Sequence, residues 1–214
     1  MLATGGRSGR PTLYLIRHGE TAWSLSGQYT GSTDIPLTVE GEAMALGLAP
    51  LLDPVPFARI FTSPRRRARQ TCELATHGAN AIIEPDLAER DYGDYEGMRL
   101  SEIWQVNPGW NVWQDSCPRG ETLANVVARA DRLLARLRSL TGAIALFSHS
   151  QFGCILAARW VGLAGGAGEH LELNPASLSI LDWKADHPKV QVIARWNLVP
   201  ADRLYHSELP DPPA

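Results

Sequence analysis

Two arginines and two histidines are the side chains of this sequence with the clearest chemical potential. Arg17 and His18 are adjacent, whereas Arg67 and His149 lie much further along the chain. A guanidinium group can bind two phosphate oxygens at once, and a neutral imidazole nitrogen can attack phosphorus. Catalysis of phosphoryl transfer depends mainly on positioning and on stabilising the charge of the equatorial oxygens. If the four residues converge in the fold, they therefore predict a site for a phosphoryl group.

The protonation of this predicted site follows from the same residues. Positive charge on the arginines disfavours another cation nearby, so it helps to keep His18 neutral and nucleophilic. A leaving alkoxide needs a proton, and a carboxyl group in the same pocket is the natural donor. The sequence contains no DxD motif and no His/Asp cluster typical of a metal site. Because the two arginines and His149 can neutralise the phosphate, we expect no metal ion and no other cofactor.

The elements that must position these residues are short apolar strands that alternate with helices. Residues 13–16, 58–61 and 143–147 are apolar runs typical of strands buried on both faces. This alternation predicts a three-layer α/β/α fold, with a mainly parallel sheet and helices on both faces. Each of the four arginine and histidine residues follows one or another of these strands, and sites in such sheets form at the carboxyl ends of strands. The predicted fold thus brings them to one edge of the sheet.

The other predicted elements complete this pattern. Thr38 is expected to cap a helix over residues 38–52, and Ser63 to cap a second helix with Pro64 in its first turn. Periodic apolar positions indicate a helix over residues 121–140, with arginines on its other face. Further strands are predicted at 81–83, 178–183 and 190–196, a helix after Ser148 and His149 through residue 163, and a loop-rich region at 86–113.

The composition is that of a globular protein. With 214 residues, 44% hydrophobic and 20% charged, the chain is predicted to form one domain over residues 1–214, with flexible tails at 1–11 and 208–214. The net charge of −3 argues against a binder of nucleic acid or anionic membranes, which carries a basic excess. Three widely spaced cysteines without a C-x-x-C pair, and no apolar signal segment, favour a reducing compartment. We therefore expect a cytoplasmic protein.

Six segments carry, in order along the chain, the motifs of one known family. They are R-H-G-E-T at 17–21, G-x-x-D-x-P-L-T at 31–38, S-P-x-x-R-A-x-x-T at 63–71, L-x-E-x-x-x-G-x-x-E-G at 87–97, G-E-T at 120–122 and S-H at 148–149. Together they resemble the histidine phosphatase superfamily, also called phosphoglycerate mutase-like. The resemblance implies metal-independent hydrolysis of a small-molecule phosphate ester through a phosphohistidine, and it is compatible with a homodimer.

The resemblance also implies a role for each matching residue. His18 is implied as the nucleophile and Glu89 as the proton donor. Glu96 and Asp91 stay open as alternative proton donors, because their carboxyl groups fall in the same motif. The implied phosphate ligands are Arg17, Arg67 and His149.

Phosphatases and cofactor-dependent phosphoglycerate mutases both belong to this superfamily. The chain is shorter than typical mutases, and residues 95–97 resemble the phosphatase form of their motif. In the other direction, residues 89–93 resemble the mutase motif E-R-x-Y-G, whose Arg90 and Tyr92 could bind a substrate carboxylate or a second phosphate. We favour the phosphatase and keep the mutase as the alternative. A catalytically inactive member that binds a phosphorylated ligand or a partner protein is the alternative from another class.

Two further segments resemble the branch that contains the fungal sedoheptulose-bisphosphatase and related bacterial acid phosphatases. They are residues 23–31 and 110–117, and they favour a sugar phosphate or bisphosphate as the substrate. In that branch Ser24 stands where most relatives have Asn. Ser150 departs from the family pattern because it replaces the glycine of S-H-G, so we expect an altered substrate preference. Gln151 and Cys154 stand where this branch often has His and Arg. The residues predicted to bind substrate are Ser24, Thr30, Gly31, Arg90, Tyr92 and Ser150.

Other residues with chemical potential have simpler interpretations. Trp104, Trp110 and Trp113 are expected either to pack in the interior or to line a lid over a sugar, and both interpretations stay open. The histidines outside the motifs are expected at the surface; they are His77, His170, His187 and His206.

Overall fold

The computed structural model describes residues 9–200, in which helices pack on both faces of one six-stranded sheet. The strands are β1 (Pro11–Arg17), β2 (Phe57–Thr62), β3 (Ile82–Ile83), β4 (Gly142–Ser148), β5 (Leu178–Trp183) and β6 (Gln191–Leu198). The helices are α1 (Ala22–Ser26), α2 (Val39–Gly47), α3 (Ala49–Leu52), α4 (Arg66–Ala75), α5 (Leu100–Val106), α6 (Leu123–Leu137) and α7 (Ser150–Trp160). Short 3-10 helices span Pro85–Leu87, Gly93–Tyr95 and Gly165–His170.

The sheet has the strand order β3-β2-β4-β1-β5-β6. The first four strands in this order pair in parallel. In contrast, β5 runs antiparallel to β1, and β6 runs antiparallel to β5. The predicted α/β/α fold with a mainly parallel sheet is therefore confirmed, and its last two strands form an antiparallel edge.

The apolar run of β1 contributes to both faces of the sheet. Leu13 and Leu15 belong to a hydrophobic core that α6 and α7 cover, whereas Tyr14 and Ile16 belong to a second core beneath α2, α3 and α4. Successive side chains of a strand point to opposite faces, so a strand that is buried on both faces must be apolar throughout. The two cores thus explain why residues 13–16 show no alternation of polar and apolar positions.

The strand register places the carboxyl ends of β1, β2 and β4 side by side. Arg17 at the end of β1 pairs with Ser148 at the end of β4, and Thr62 at the end of β2 pairs with Phe147. This is the convergence that the parallel topology predicts. The residues that leave the sheet at this edge are His18, Ser63 and His149.

The helix predicted over residues 38–52 is divided in two. Thr38 caps α2 as expected, because its hydroxyl accepts a hydrogen bond from the Gly41 amide at 2.9 Å. The break between α2 and α3 falls at Leu48. Pro50 has no amide hydrogen to donate, and its ring would clash with the carbonyl four residues earlier, so it cannot lie inside a continuous helix.

The helix after β2 begins at Arg66, so the prediction that Ser63 caps it is wrong. The Ser63 hydroxyl accepts a hydrogen bond from the Arg65 amide at 3.2 Å and is also hydrogen-bonded to the His149 ring. Pro64 accordingly precedes the helix instead of occupying its first turn. Ser63 therefore belongs to the group of polar residues at the strand ends.

The first strand begins inside the predicted N-terminal tail. Pro11 is its first residue, and the Pro11 carbonyl accepts a hydrogen bond from the Trp183 indole at 3.0 Å. The tail predicted over residues 1–11 is thus wrong at this position. Residues 1–8 and the tail predicted at 208–214 lie outside the described residues, and the single domain stays a prediction. Between residues 9 and 200, no helix is long and apolar enough to span a membrane.

An ionic cluster joins α6 to the segment that carries Glu89. Arg132 and Arg136 project from α6 and both donate to the Asp86 carboxylate, at 2.6–3.1 Å. Burial raises the pKa of Asp86, but the hydrogen bonds and charges of the two arginines outweigh it and hold the pKa below its usual value. The arginine face predicted for α6 therefore anchors the chain just before Glu89.

We predict that Asp86→Asn lowers the free energy of unfolding by about 1.5–3 kcal/mol at pH 7, the range for hydrogen bonds to charged groups. Because folding lowers the pKa of Asp86, its contribution is present above the unfolded-state pKa and is lost as pH falls through the folded value. Urea unfolding of both proteins at pH 7 and pH 3 measures this effect. The difference in the free energy of unfolding between Asp86→Asn and the wild type should be smaller at pH 3.

Asp186→Asn is the matched control for this prediction. Asp186 forms ion pairs in an exposed turn, and pairs of this kind contribute less than about 1 kcal/mol. An equal loss of stability in both variants would contradict the anchoring role of Asp86.

Candidate active site

Two histidine rings face each other where β1 and β4 end. The ring centroids of His18 and His149 are 5.1 Å apart, and the ring planes are inclined by 64°. His18 is 6% exposed and His149 is fully buried, so both imidazoles lie in a region with little water. The strand register has thus brought together two predicted site residues that are far apart in the sequence.

One hydrogen bond defines which nitrogen of His18 is available. Nδ1 lies 2.7 Å from the carbonyl oxygen of Gly19, and a carbonyl can only accept, so Nδ1 carries the proton of the neutral ring. Burial and then the positive charges of Arg67 and Arg17 lower the pKa of His18 well below its usual value. Nε2 is therefore unprotonated at neutral pH, as an imidazole nucleophile requires.

His149 is held by the residue that follows β2. Its Nε2 lies 2.7 Å from the Ser63 hydroxyl, and its Nδ1 is buried without a hydrogen-bond partner among the described residues. Burial and then the charge of Arg67 lower the pKa of His149 well below its usual value. When the Ser63 hydroxyl donates to Nε2, Nδ1 carries the proton of the neutral ring and can donate a hydrogen bond to a phosphate oxygen.

Arg67 is fully buried in the first turn of α4 and donates to three backbone carbonyls. Nη1 donates to Thr33, and Nη2 donates to Thr30 and Gly31, each at 3.0 Å. Burial lowers the pKa of Arg67, but the side chain stays charged because arginine is not deprotonated in proteins. The loop of residues 30–33 thus fixes a buried positive charge close to both histidines.

Glu96 holds this loop in place through its backbone amides. Its carboxylate accepts hydrogen bonds from the amides of Gly31, Ser32 and Thr33 at 2.9–3.2 Å. Burial raises the pKa of Glu96, but these bonds outweigh it and lower the pKa below its usual value. A Cβ atom at position 31 would lie 2.0 Å from the Arg90 carbonyl oxygen, so glycine is required there. Glu96 and Gly31 together set the carbonyls that receive the buried guanidinium.

Glu89 is oriented by backbone amides, two of them at the start of α7. Oε1 accepts from the amides of Arg90 and Phe152 at 3.0 and 2.8 Å, and Oε2 accepts from the amide of Gln151 at 3.0 Å. The residue is 5% exposed and lines the same cavity as His18. Its carboxyl group therefore has a fixed position in the cavity that His18 also lines.

The two alternative proton donors lie elsewhere. Glu96 binds the loop of residues 30–33, and Asp91 accepts a hydrogen bond from the Gly93 amide at 2.8 Å. Neither residue lines the cavity. Glu89 is therefore the candidate of the three that reaches it.

A cavity of about 590 Å³ opens at His18. Arg67 and His149 are fully buried and do not line it. Arg67 still acts on two residues that do, because its charge adds to the effect of burial in lowering the pKa of His18 and its Nη2 donates to the Thr30 carbonyl. Gly31 also lies outside the lining, because its backbone connects Arg67 to Glu96. The predicted site residues that line the cavity are Arg17, His18, Ser24, Thr30, Glu89, Tyr92 and Ser150.

Arg90 does not line the cavity, which corrects its predicted role in substrate binding. The residue is fully buried. Its Nε donates to the carbonyl of Glu121 at 3.0 Å, Nη2 donates to Asp115 at 2.8 Å, and Nη1 donates to Val112. Because each nitrogen of the group binds a backbone carbonyl, Arg90 holds the segment of residues 112–121 against the domain.

The tryptophans divide between the two interpretations that the sequence left open. Trp113 lines the cavity, whereas Trp110 is buried against Tyr29 and Tyr95. Trp104 is half exposed, and its indole donates to the Trp110 carbonyl at 2.9 Å. Trp113 therefore faces the cavity, whereas Trp104 and Trp110 support the segment.

Residues 169–174 form a cavity wall that the sequence did not reveal. His170 is exposed, as predicted, but it also lines the cavity. Arg17 Nη1 donates to the carbonyl of Leu173, which ties this wall to the end of β1. The segment has no motif, and only the packing of the chain before β5 brings it to the site.

The fold and the residues at its strand ends define an α/β protein built to bind a phosphoryl group beside a neutral histidine. Comparison with known families specifies this class, because the model of the histidine phosphatase superfamily (branch 1) matches residues 13–197. The chain belongs to this superfamily, and the resemblance of its motifs is confirmed.

Individual relatives agree with the predicted branch. The acid phosphatase of Mycobacterium tuberculosis is 40% identical over 176 residues, which cover 78% of this chain and 84% of the relative. The sedoheptulose 1,7-bisphosphatase of Saccharomyces cerevisiae is 37% identical over 185 residues, which cover 72% of this chain and 68% of the relative. The solved structure of an open reading frame product of Mycobacterium tuberculosis has a TM-score of 0.81 at 34% identity, covering 88% of this chain and 98% of that one.

We predict that Glu96→Gln weakens the binding of inorganic phosphate about tenfold. The new amide turns an N–H toward backbone amides that now donate to a carboxylate, which loosens the 30–33 loop and the position of Arg67. Tenfold corresponds to about 1.4 kcal/mol, close to one hydrogen bond to a charged group. Isothermal titration calorimetry measures the change.

Glu102→Gln is the matched control for this variant. The Glu102 carboxylate also accepts from a backbone amide, that of Arg99 at the start of α5, but it does not support the 30–33 loop. Its phosphate affinity should equal that of the wild type. The positioning role of Glu96 fails if Glu96→Gln shows the same affinity as well.

Proposed function

We propose that this protein is a phosphomonoesterase that works without a metal ion and through a phosphohistidine at His18. The observation that carries the proposal is the hydrogen bond between His18 Nδ1 and the Gly19 carbonyl. With the lowered pKa of the ring, it leaves Nε2 as a neutral nucleophile. Arg17 and Glu89 line the same cavity, so one site supplies a nucleophile, a cation and an acid.

The proposed reaction has two steps. In the first, His18 Nε2 attacks phosphorus, the bond from phosphorus to the ester oxygen breaks, and protonated Glu89 gives its proton to that oxygen. In the second, water attacks the phosphohistidine, Glu89 takes a proton from the water, and the phosphorus–nitrogen bond breaks to release inorganic phosphate. Both residues end in the protonation states in which they began.

Three groups are proposed to stabilise the charge of the transferred phosphoryl group. Arg17 does so from the cavity wall, whereas Arg67 and His149 act from the buried side of His18. Electrostatic interactions are strong in a region with little water, so fixed charges there stabilise a transition state effectively. The residues proposed to contact substrate, because they line the cavity, are Ser24, Thr30, Tyr92 and Ser150.

The two alternative functions are less well supported. Arg90 was the residue expected to hold a carboxylate or second phosphate in a mutase, yet each of its nitrogens donates to a backbone carbonyl. An inactive ligand-binding protein has no need for a neutral His18 beside Glu89 in one cavity. The similarity to the sedoheptulose 1,7-bisphosphatase favours a sugar phosphate or bisphosphate as the substrate of this chain.

We expect the wild type to hydrolyse p-nitrophenyl phosphate in the presence of EDTA, and His18→Ala to lose at least about 1000-fold in kcat, because the covalent route is removed. Acid-labile, alkali-stable phosphate should be trapped on the wild type and not on the variant. No turnover by the wild type between pH 4 and pH 8 would refute the phosphatase.

The matched control is His77→Ala, which makes the same substitution at an exposed histidine paired with Asp53. This variant should keep the wild-type kcat. Full activity in His18→Ala would refute the nucleophile assignment while leaving the phosphatase in place.

We also expect Glu89→Gln to slow the hydrolysis of alkyl phosphates more than the hydrolysis of aryl phosphates. An alkoxide needs a proton as it leaves, whereas p-nitrophenolate does not. Loss of a general acid should therefore lower kcat/KM about 100-fold for glycerol 3-phosphate and about tenfold or less for p-nitrophenyl phosphate. Glu73→Gln, on the exposed side of α4, is the control. Equal losses on both substrates would contradict the role of Glu89 as the acid.

Some expectations rest on the sequence alone and stay predictions. They are the cytoplasmic location, the homodimer and the absence of a nucleic-acid partner. Among the described residues, no group of three or more His, Cys, Asp or Glu side chains is placed to hold a metal ion, and metal independence stays a proposal that the EDTA assay tests.

A further inference from the structure

The part of the cavity beyond the phosphoryl site must hold the leaving group of the substrate. Residues 169–174, Trp113 and Gln151 contribute to its walls. Apart from Arg17 and Glu89, which the proposed reaction uses, the fixed charges among the described lining residues are the carboxylates of Glu169 and Glu172. The wall that meets the leaving group is therefore negatively charged.

His170 is the remaining titratable side chain of this wall. Its Nε2 lies 3.4 Å from the Glu169 carboxylate, and its side chain is 78% exposed. Solvent screens such an exposed pair strongly.

Gln151 supplies a second and independent observation. The residue is 5% exposed and lines the cavity, and its Oε1 is buried without a hydrogen-bond partner among the described residues. Nε2 donates to the Val112 carbonyl at 3.0 Å. That carbonyl also accepts from Arg90, so its position is fixed, and a rotated amide would bring two oxygens together. The Gln151 amide is thus fixed in an orientation that leaves Oε1 available as a hydrogen-bond acceptor.

We infer that the cavity selects a phosphate monoester whose leaving group is uncharged and carries hydroxyls, as in a sugar or polyol monophosphate. A hydroxyl can donate to Gln151 Oε1, whereas an ionised carboxylate or phosphate has nothing to donate. Glu169 and Glu172 repel a second anion. The inference rests on the proposed function, because it names the substrate class of the same site.

Other lining residues fit this class of leaving group. They offer hydroxyl and amide groups that can donate or accept, and so they can pair with several hydroxyls without adding charge. These residues are Ser24, Gln28, Ser150 and Asn174. Among sugar phosphates, the cavity therefore favours monophosphates over bisphosphates.

Two matched pairs of substrates test the inference. Fructose 6-phosphate and fructose 1,6-bisphosphate differ by one phosphate, and glycerol 3-phosphate and 3-phosphoglycerate differ by one carboxylate. We expect kcat/KM at pH 8 to be at least about tenfold higher for the first member of each pair, and the difference to shrink as salt is added. Equal or higher values for the anionic members would overturn the inference, while turnover of p-nitrophenyl phosphate would leave the proposed function intact.

A charge-removing variant tests the role of the wall. In Glu169→Gln/Glu172→Gln, kcat/KM for fructose 1,6-bisphosphate should rise about fivefold relative to that for fructose 6-phosphate, as expected when nearby like charges are removed. Glu73→Gln removes the same charge at an exposed position of α4 outside the cavity, and it should leave the ratio unchanged. An unchanged ratio in the double variant would overturn the role of the carboxylates.

A nearly isosteric variant tests the acceptor. Gln151→Met keeps the length of the side chain and removes its oxygen. We expect the ratio of kcat/KM for fructose 6-phosphate to that for p-nitrophenyl phosphate to fall about tenfold. Only the sugar has a hydroxyl that can bind Gln151 Oε1, so only its hydrolysis should depend on this oxygen. An unchanged ratio would overturn the role of Gln151.

Binding to His18→Ala keeps the inference testable without turnover. Calorimetry on this variant should give a lower Kd for fructose 6-phosphate than for fructose 1,6-bisphosphate. If no substrate were hydrolysed by the wild type, the proposed function would fail, and the order of these two affinities would still decide the inference.

Discussion

A buried positive charge at the carboxyl ends of three strands is the constraint on which the rest of the site depends. Arg67 is fully buried, and three backbone carbonyls replace the water that its guanidinium loses. Burial lowers the pKa values of both histidines beside it, and the charge of Arg67 lowers them further because it repels a second cation. The same charge that would attract an anion thus helps to keep His18 neutral before any ligand arrives.

Two charged residues of the motifs support loops, and their role in binding is indirect. Glu96 organises the amides of residues 31–33, whose loop carries the carbonyls that receive Arg67. Arg90 binds carbonyls of the segment 112–121 and so holds one wall of the cavity. Both loops are thus held through hydrogen bonds to their backbone groups. Preorganisation of this kind lowers the entropic cost of binding, because the loops are already ordered.

Much of the fold and of the reaction centre could be predicted because each depends on local patterns. Apolar runs and the residues directly after them identified the strands and the convergence of His18 with His149. The prediction for Arg90 was wrong because a motif does not show where a guanidinium points, and here carbonyls distant in sequence bind it. The wall at residues 169–174 could not be predicted, since its position depends on packing and it has no periodicity or motif of its own.

The way in which Glu89 is held has a consequence for how proteins with this fold can diversify. Within residues 9–200, the hydrogen bonds that its carboxylate accepts come from backbone amides, two of them those of Gln151 and Phe152. A backbone amide is the same for nearly every amino acid. The side chain at position 151 can therefore change what the cavity accepts while Glu89 keeps its position. The amides that bind Glu89 and the side chain that lines the cavity belong to the same turn of α7, but they are different atoms. A mutation at position 151 can therefore change the lining of the cavity without removing the hydrogen bonds to Glu89.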